Sequence, residues 1–144
     1  MSSEPPADDV TWINGEIAIT NFFSAHQREL LSQNKVEAVL CLDQELRGDA
    51  AGVRGLRRIE VVHLVDGPND LALFKRAVAA LESLLKDHRR VVVHCRAGRS
   101  RSIAVVAAYL KKSMGLEADD ALEFVKSKRP SAIAPELIRL VQRC

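Results

Sequence analysis

Apolar positions along the chain alternate between a two-residue and a three-to-four-residue spacing, which predicts strands separated by helices. In residues 11–20, Trp12, Ile13, Ile17 and Ile19 flank Asn14-Gly15, a preferred pair for a tight two-residue turn, and read as a hairpin. Ser24 is placed to cap a helix reaching about Gln33, and the apolar run 36–42 is short enough for a buried strand. Residues 47–57, rich in Gly and Arg, read as a loop or short irregular helix, and 59–65 as a further strand. Leu71, Phe74, Val78, Leu81 and Leu85 then step by three and four along one face of a helix capped by Asp70.

Val91-Val92-Val93-His94 is too short for a helix and strongly β-branched, so it predicts the central strand. Helical spacing resumes over 103–113 and stops at Gly115. Residues 117–128 form another helix ended by Pro130, and a last one starts near Pro135 with Ile138 and Val141 on its apolar stripe. Strands alternating with helices give an α/β domain with crossover helices on both faces of a sheet.

A length of 144 residues fits one domain, 10–144, after a polar, proline-containing tail at 1–9 that reads as flexible. With 47% apolar and 28% charged residues the chain is neither disordered nor a membrane protein in composition. A net charge of +2 is too mild to call for a stable nucleic-acid complex, so electrostatic preference must be local. No apolar stretch approaches the roughly 20 residues of a transmembrane helix, and the start of the chain lacks a secretory pattern, which predicts a cytoplasmic protein. Cys41, Cys95 and Cys144 are odd in number and far apart, against a disulfide framework or a structural metal.

The informative segment runs from His94 to Ser102. A glycine-containing turn between a buried strand and a helix points backbone N–H groups inward and adds the positive end of the helix, a field that favours a bound phosphate and a thiolate at Cys95. Arg96, Ala97, Gly98, Arg99, Ser100 and Arg101 are the expected phosphate cradle. Arg101 supplies a planar fork for two phosphate oxygens, and Gly98 permits close approach or positive φ. Ser102 offers its hydroxyl to the sulfur when the thiolate leaves, and His94 orients the loop through its ring nitrogens.

His-Cys-Arg-Ala-Gly-Arg-Ser-Arg-Ser resembles the signature loop of the protein tyrosine phosphatase superfamily, His-Cys-x5-Arg-Ser/Thr, and within it the small dual-specificity phosphatases. Residues 36–141 are similar to that family in element order. The resemblance implies a cysteine phosphatase fold with a mostly parallel sheet of about five strands. It also implies Cys95 as nucleophile, a phosphocysteine intermediate, Asp66 of Val65-Asp66-Gly67-Pro68 as general acid and then base, and no metal or cofactor. Asp70 is the competing acid, read more simply as a helix cap.

The substrate implied is a protein carrying phosphotyrosine, with phosphoserine and phosphothreonine next. A phospholipid, such as phosphatidylglycerophosphate or a phosphoinositide, or an RNA 5′-phosphate is the alternative, and a non-catalytic phosphate-binding module ranks below both. Arg96 and Arg99 read equally as solvated charges or as a rim selecting additional negative charge. Cys41 reads as core, with a protective disulfide to Cys95 as the other option. Lys111, Lys112, Lys126, Lys128 and Arg129 read as solvated helix faces.

Overall fold

The computed structural model describes residues 9–43 and 55–144. Residues 1–8 of the expected tail at 1–9 and most of the Gly/Arg-rich segment lie outside the described residues. The strands are β1 (Val10–Trp12), β2 (Ile17–Thr20), β3 (Ala38–Cys41), β4 (Arg58–Val61) and β5 (Val91–His94). The helices are α1 (Phe22–Ala25), α2 (Arg28–Gln33), α3 (Leu71–Asp87), α4 (Arg101–Met114), α5 (Ala118–Lys128) and α6 (Pro135–Arg143).

Sheet order is β1-β2-β5-β3-β4. The three pairings from β2 through β4 are parallel and β1 runs antiparallel at the edge. β5 is central, as its valines demand: Val91 and Val93 face one layer of the core and Val92 the other, each fully buried.

The two faces are unequal. One carries α3 to α6 over Ile17, Ile19, Leu40, Val91 and Val93. The other carries, among the described residues, only the short α1 and α2, with Ala25, Leu30 and Leu31 against Ala18, Val39, Cys41 and Val92. On the larger face α4 is buried from Ser102 through Ala108 and at Leu110, and its small residues Ala104, Ala107 and Ala108 let neighbouring helices close on it. α3 buries Phe74, Val78 and Leu81 of the predicted stripe together with Ala77 and Leu84, whereas Leu71 and Leu85 are half-buried at its margins.

Two local expectations need correction. The hairpin forms, but Asn14 Oδ1 accepts from the N–H groups of both Glu16 and Ile17, at 2.8 Å each, and this builds a wider connection than a two-residue turn. The expected helix from Ser24 to Gln33 is two short helices. Asn21 caps the first, accepting from Ser24 N–H at 2.6 Å, because β2 runs to Thr20 and leaves Asn21 at the exit. Ser24 instead accepts from the Asp9 N–H at 2.9 Å, which anchors the last residue of the expected tail. Gly115 ends α4 with φ 65°, and Pro135 opens α6, as their chemistry predicts.

No helix among the described residues is long and apolar enough to cross a membrane. Because Phe74 is fully buried at the α3–sheet contact, Phe74→Ala is expected to cost about 3–5 kcal/mol, read as a lowered urea midpoint at unchanged m-value.

Candidate active site

At the carboxyl end of β5 the chain leaves the sheet at Cys95, turns through Gly98 at φ 69°, and enters α4 at Arg101. Four consecutive carbonyls of this turn are bonded outward. Arg96 O accepts from Phe22 N–H at 2.8 Å, Ala97 O and Gly98 O from the Arg129 guanidinium at 3.3 and 2.5 Å, and Arg99 O from Ala132 N–H at 2.9 Å.

A peptide's C=O and N–H point in opposite directions, so fastening these carbonyls outside turns the N–H groups of Ala97, Gly98, Arg99 and Ser100 to the inner side. None of the four donates to a protein acceptor among the described residues. Together with the first turn of α4 they form a concave set of donors beside the Cys95 thiol, which is only 2% exposed. Gly98 is required twice over: besides its positive φ, an added Cβ would lie 2.6 Å from both Thr20 O and Arg129 Nη2.

The cleft above this loop encloses about 340 Å³ and is lined by Asp66, Cys95, Arg96, Ala97, Arg99, Ser100, Arg101 and Ala132. A larger groove of about 520 Å³ lies at the amino ends of the strands, along Glu37, Arg57 and His88, and holds no cysteine. The chemistry therefore selects the smaller cleft, at the carboxyl edge where parallel sheets present their sites.

Asp66 and Asp70 are both exposed, but only Asp66 lines the cleft. The Asp66 carboxylate accepts from the Ser100 hydroxyl at 2.5 Å, and Ser100 Oγ accepts from Ala134 N–H at 3.0 Å, so one side chain links the acid to the loop and to α6. The turn bearing Asp66 is tied by Asn69, whose Oδ1 accepts from Val65 N–H at 2.9 Å. Asn69 Nδ2 donates to Val65 O and Gly67 O at 2.9 and 3.1 Å. Asp70 precedes α3 and makes no side-chain capping bond. Ser102 Oγ is fully buried without a hydrogen-bond partner, in the first turn of α4.

Arg101 reaches back over the loop, where its Nη1 donates to Asp43 Oδ1 at 3.1 Å and to Leu64 O at 2.9 Å. Nε and Nη2 meet no acceptor among the described residues and remain for an anion. Arg96 stacks over the Phe22 ring at 4.5 Å and holds Nη2 3.2 Å from Asp43 Oδ2, an ion-pair distance without hydrogen-bond alignment. Arg99 makes no side-chain bond among the described residues.

His94 is buried beneath the loop. Its Nδ1–H donates to the Cys95 carbonyl at 3.3 Å, and its Nε2 has no partner. Only one of the two ring nitrogens therefore holds the loop. Burial pushes the imidazole down from 6.5 to about 4, with the Cys95 carbonyl opposing and the charge of His26 adding to the shift. Cys41 pairs in register with His94 on β3, but packs on the α1–α2 face while Cys95 packs on the other. That placement fits the core reading and not a bridge across the sheet.

Sequence reasoning placed Arg129 among solvated charges. In the fold it is 3% exposed and donates to Asp9, Thr11, Ile19, Ala97 and Gly98. The residue before Pro130 is driven out of the helix into extended backbone, φ −139° and ψ 133°, and the side chain turns inward from there. Lys111 is corrected likewise: its ammonium donates to the carbonyls of Val141, Gln142 and Cys144 at 3.0–3.2 Å and closes the end of α6. Asp43 was missed altogether. The available signal was its place just beyond β3 at the carboxyl edge of the sheet.

Comparison with known proteins agrees with this geometry. The family described as dual specificity phosphatase, catalytic domain, matches residues 20–141. Protein-tyrosine-phosphatase IBR5 of Arabidopsis thaliana is 44% identical over 70 residues, 48% of this chain but 27% of that protein. Dual specificity phosphatase 28 of Mus musculus is 33% identical over 115 residues, 79% of this chain and 69% of that one. The crystal structure of a mouse putative dual specificity phosphatase superposes with a TM-score of 0.82 at 27% identity, covering 99% of this chain and 90% of that chain.

Two outcomes follow from the buried groups. The unfolded chain takes up a proton at His94 below pH 6.5, whereas the folded chain does so only near 4. Stability present above 6.5 is therefore lost as pH falls through that window, by about 2 kcal/mol between pH 7 and 5 from this group alone. Urea unfolding at the two pH values checks it, since His94→Asn lacks this share of the slope. Arg129→Met leaves Asp9 and the loop carbonyls without their donor, and is expected to cost about 3 kcal/mol and to lower phosphatase turnover, measured on the same preparation.

Proposed function

The chain belongs to the dual specificity phosphatase family, and from that membership we propose that it is a cysteine-dependent phosphomonoester hydrolase acting on phosphorylated proteins. Phosphotyrosine is the primary substrate, with phosphoserine and phosphothreonine accepted. The observation that carries this reading is the row of inward N–H groups beside a nearly buried cysteine, with a carboxylate held on the other wall of the same cleft. The similar mouse structure is complexed with zinc tungstate, and tungstate is a tetrahedral oxyanion of phosphate's shape.

In the proposed reaction the phosphoryl oxygens sit against the N–H groups of residues 96–101 and the free edge of Arg101. The Cys95 thiolate attacks phosphorus in line with the departing oxygen. The P–O bond breaks, Asp66 gives its proton to the leaving oxygen, and a phosphocysteine forms. Asp66, now a carboxylate, removes a proton from water as the water attacks phosphorus. The S–P bond breaks, phosphate departs, and the Ser102 hydroxyl donates to the sulfur that takes up the charge. The nucleophile must be a reduced thiol, which fits a cytoplasmic location. No step calls for a metal or cofactor.

Hydrolysis of para-nitrophenyl phosphate is expected to persist in EDTA and to vanish in Cys95→Ser. Asp66→Asn is expected to lower kcat by about 10²–10⁴-fold on substrates with poor leaving groups. Equal turnover by Cys95→Ser and the unaltered protein would overturn the reading.

A further inference from the structure

Arg96 is the first cation after the nucleophile and half of its side chain, 51%, is exposed on the rim of the cleft. By position it is the natural place for a second anionic group of a substrate. Its surroundings argue otherwise. The guanidinium carbon lies over the Phe22 ring at 4.5 Å, and the Phe22 N–H in turn holds Arg96 O, so side chain and backbone are both fixed toward α1. On its polar edge stands Asp43, with its side chain 18% exposed and Oδ2 3.2 Å from Nη2. The same carboxylate grips Arg101 through Oδ1.

One negative charge thus sits between two cations that line an anion-binding cleft, and its effect on them differs. Arg101 keeps Nε and Nη2 for the reacting phosphoryl group, and Asp43 with Leu64 O fixes its orientation. Arg96 has its charge opposed at Nη2. An anion approaching Arg96 also meets the Asp43 carboxylate, whose Oδ2 is buried and accepts no hydrogen bond, so the attraction of the guanidinium is offset by the repulsion of the acid beside it.

We infer that Asp43 is a specificity-determining residue that withholds Arg96 from substrate, so that the cleft takes phosphopeptides without a second phosphate on the Phe22 side in preference to doubly phosphorylated ones. This rests on the phosphoprotein reading and deepens it.

The test is read as binding, in a Cys95→Ser background where no turnover is needed, which separates it from the hydrolysis assays above. Two phosphotyrosine peptides of one sequence, one carrying an additional phosphoserine two residues away, are titrated by calorimetry. Asp43→Asn, close in shape to the original, is expected to shift the preference toward the doubly phosphorylated peptide by about tenfold. That gain is expected to disappear when Arg96→Gln is added. Arg96→Gln by itself, at an exposed position with little influence on folding, should change the preference less than twofold. A preference unmoved by Asp43→Asn, a gain that survives Arg96→Gln, or a selective loss of the doubly phosphorylated peptide from Arg96→Gln alone would each overturn the inference.

Discussion

The site depends on the fate of four carbonyl oxygens. A loop offers its N–H groups to an anion only if the opposite ends of the same peptides are satisfied elsewhere, because an unpaired buried carbonyl costs as much as the donor on its other side could return. Here those oxygens are met by Phe22 N–H at the start of α1, by the Arg129 side chain at the end of α5, and by Ala132 N–H ahead of α6. The loop spans a few residues of sequence, yet its shape is enforced by elements from most of the fold.

That dependence makes sense of the lopsided architecture. α4 must aim its amino end at the loop while packed on the sheet, on α5 and on α6, so the heavy layer of four helices lies on its side. The light layer has a narrower task. α1, four residues long, brings Phe22 to Arg96, and α2 closes the small core behind Val92 and Cys41. Asp66 is brought in by a third means, a turn fastened by Asn69 and clasped by Ser100. Cys95, Arg101 and Asp66 thus reach one cleft from separately braced pieces.

The parts legible in the sequence are those whose cause is local. Three valines before His-Cys, a glycine in the turn and a helical stripe after it lie within twenty residues, and strand, loop and helix form as their spacing predicts. Asp66 was named through the family resemblance, and the fold brings it to the cleft that Cys95 lines. What stayed hidden acts over long separations: Arg129 bonds Asp9 120 positions away, and Arg101 bonds Asp43 across 58. A basic residue after a helix and an acid after a strand look ordinary until the sheet brings their partners near. The local misreadings at Asn14 and Ser24 have a different origin: Asn14 Oδ1 accepts two successive N–H groups and widens the turn, and β2 ends at Thr20, early enough for Asn21 rather than Ser24 to cap α1.

Arg129 and Asp9 also differ in how far each is free to vary over descent. Among the described residues the Asp9 side chain serves only as an acceptor for the guanidinium and is 39% exposed, so another acceptor or a water molecule has room to replace it. Arg129 faces three carbonyl oxygens besides the carboxylate, and a reversed pair would turn an acid toward acceptors that have nothing to donate. Exchange of the two charges is therefore closed to evolution here. In lineages carrying this loop, change at the ninth position is expected to run ahead of change at the other end of the pair.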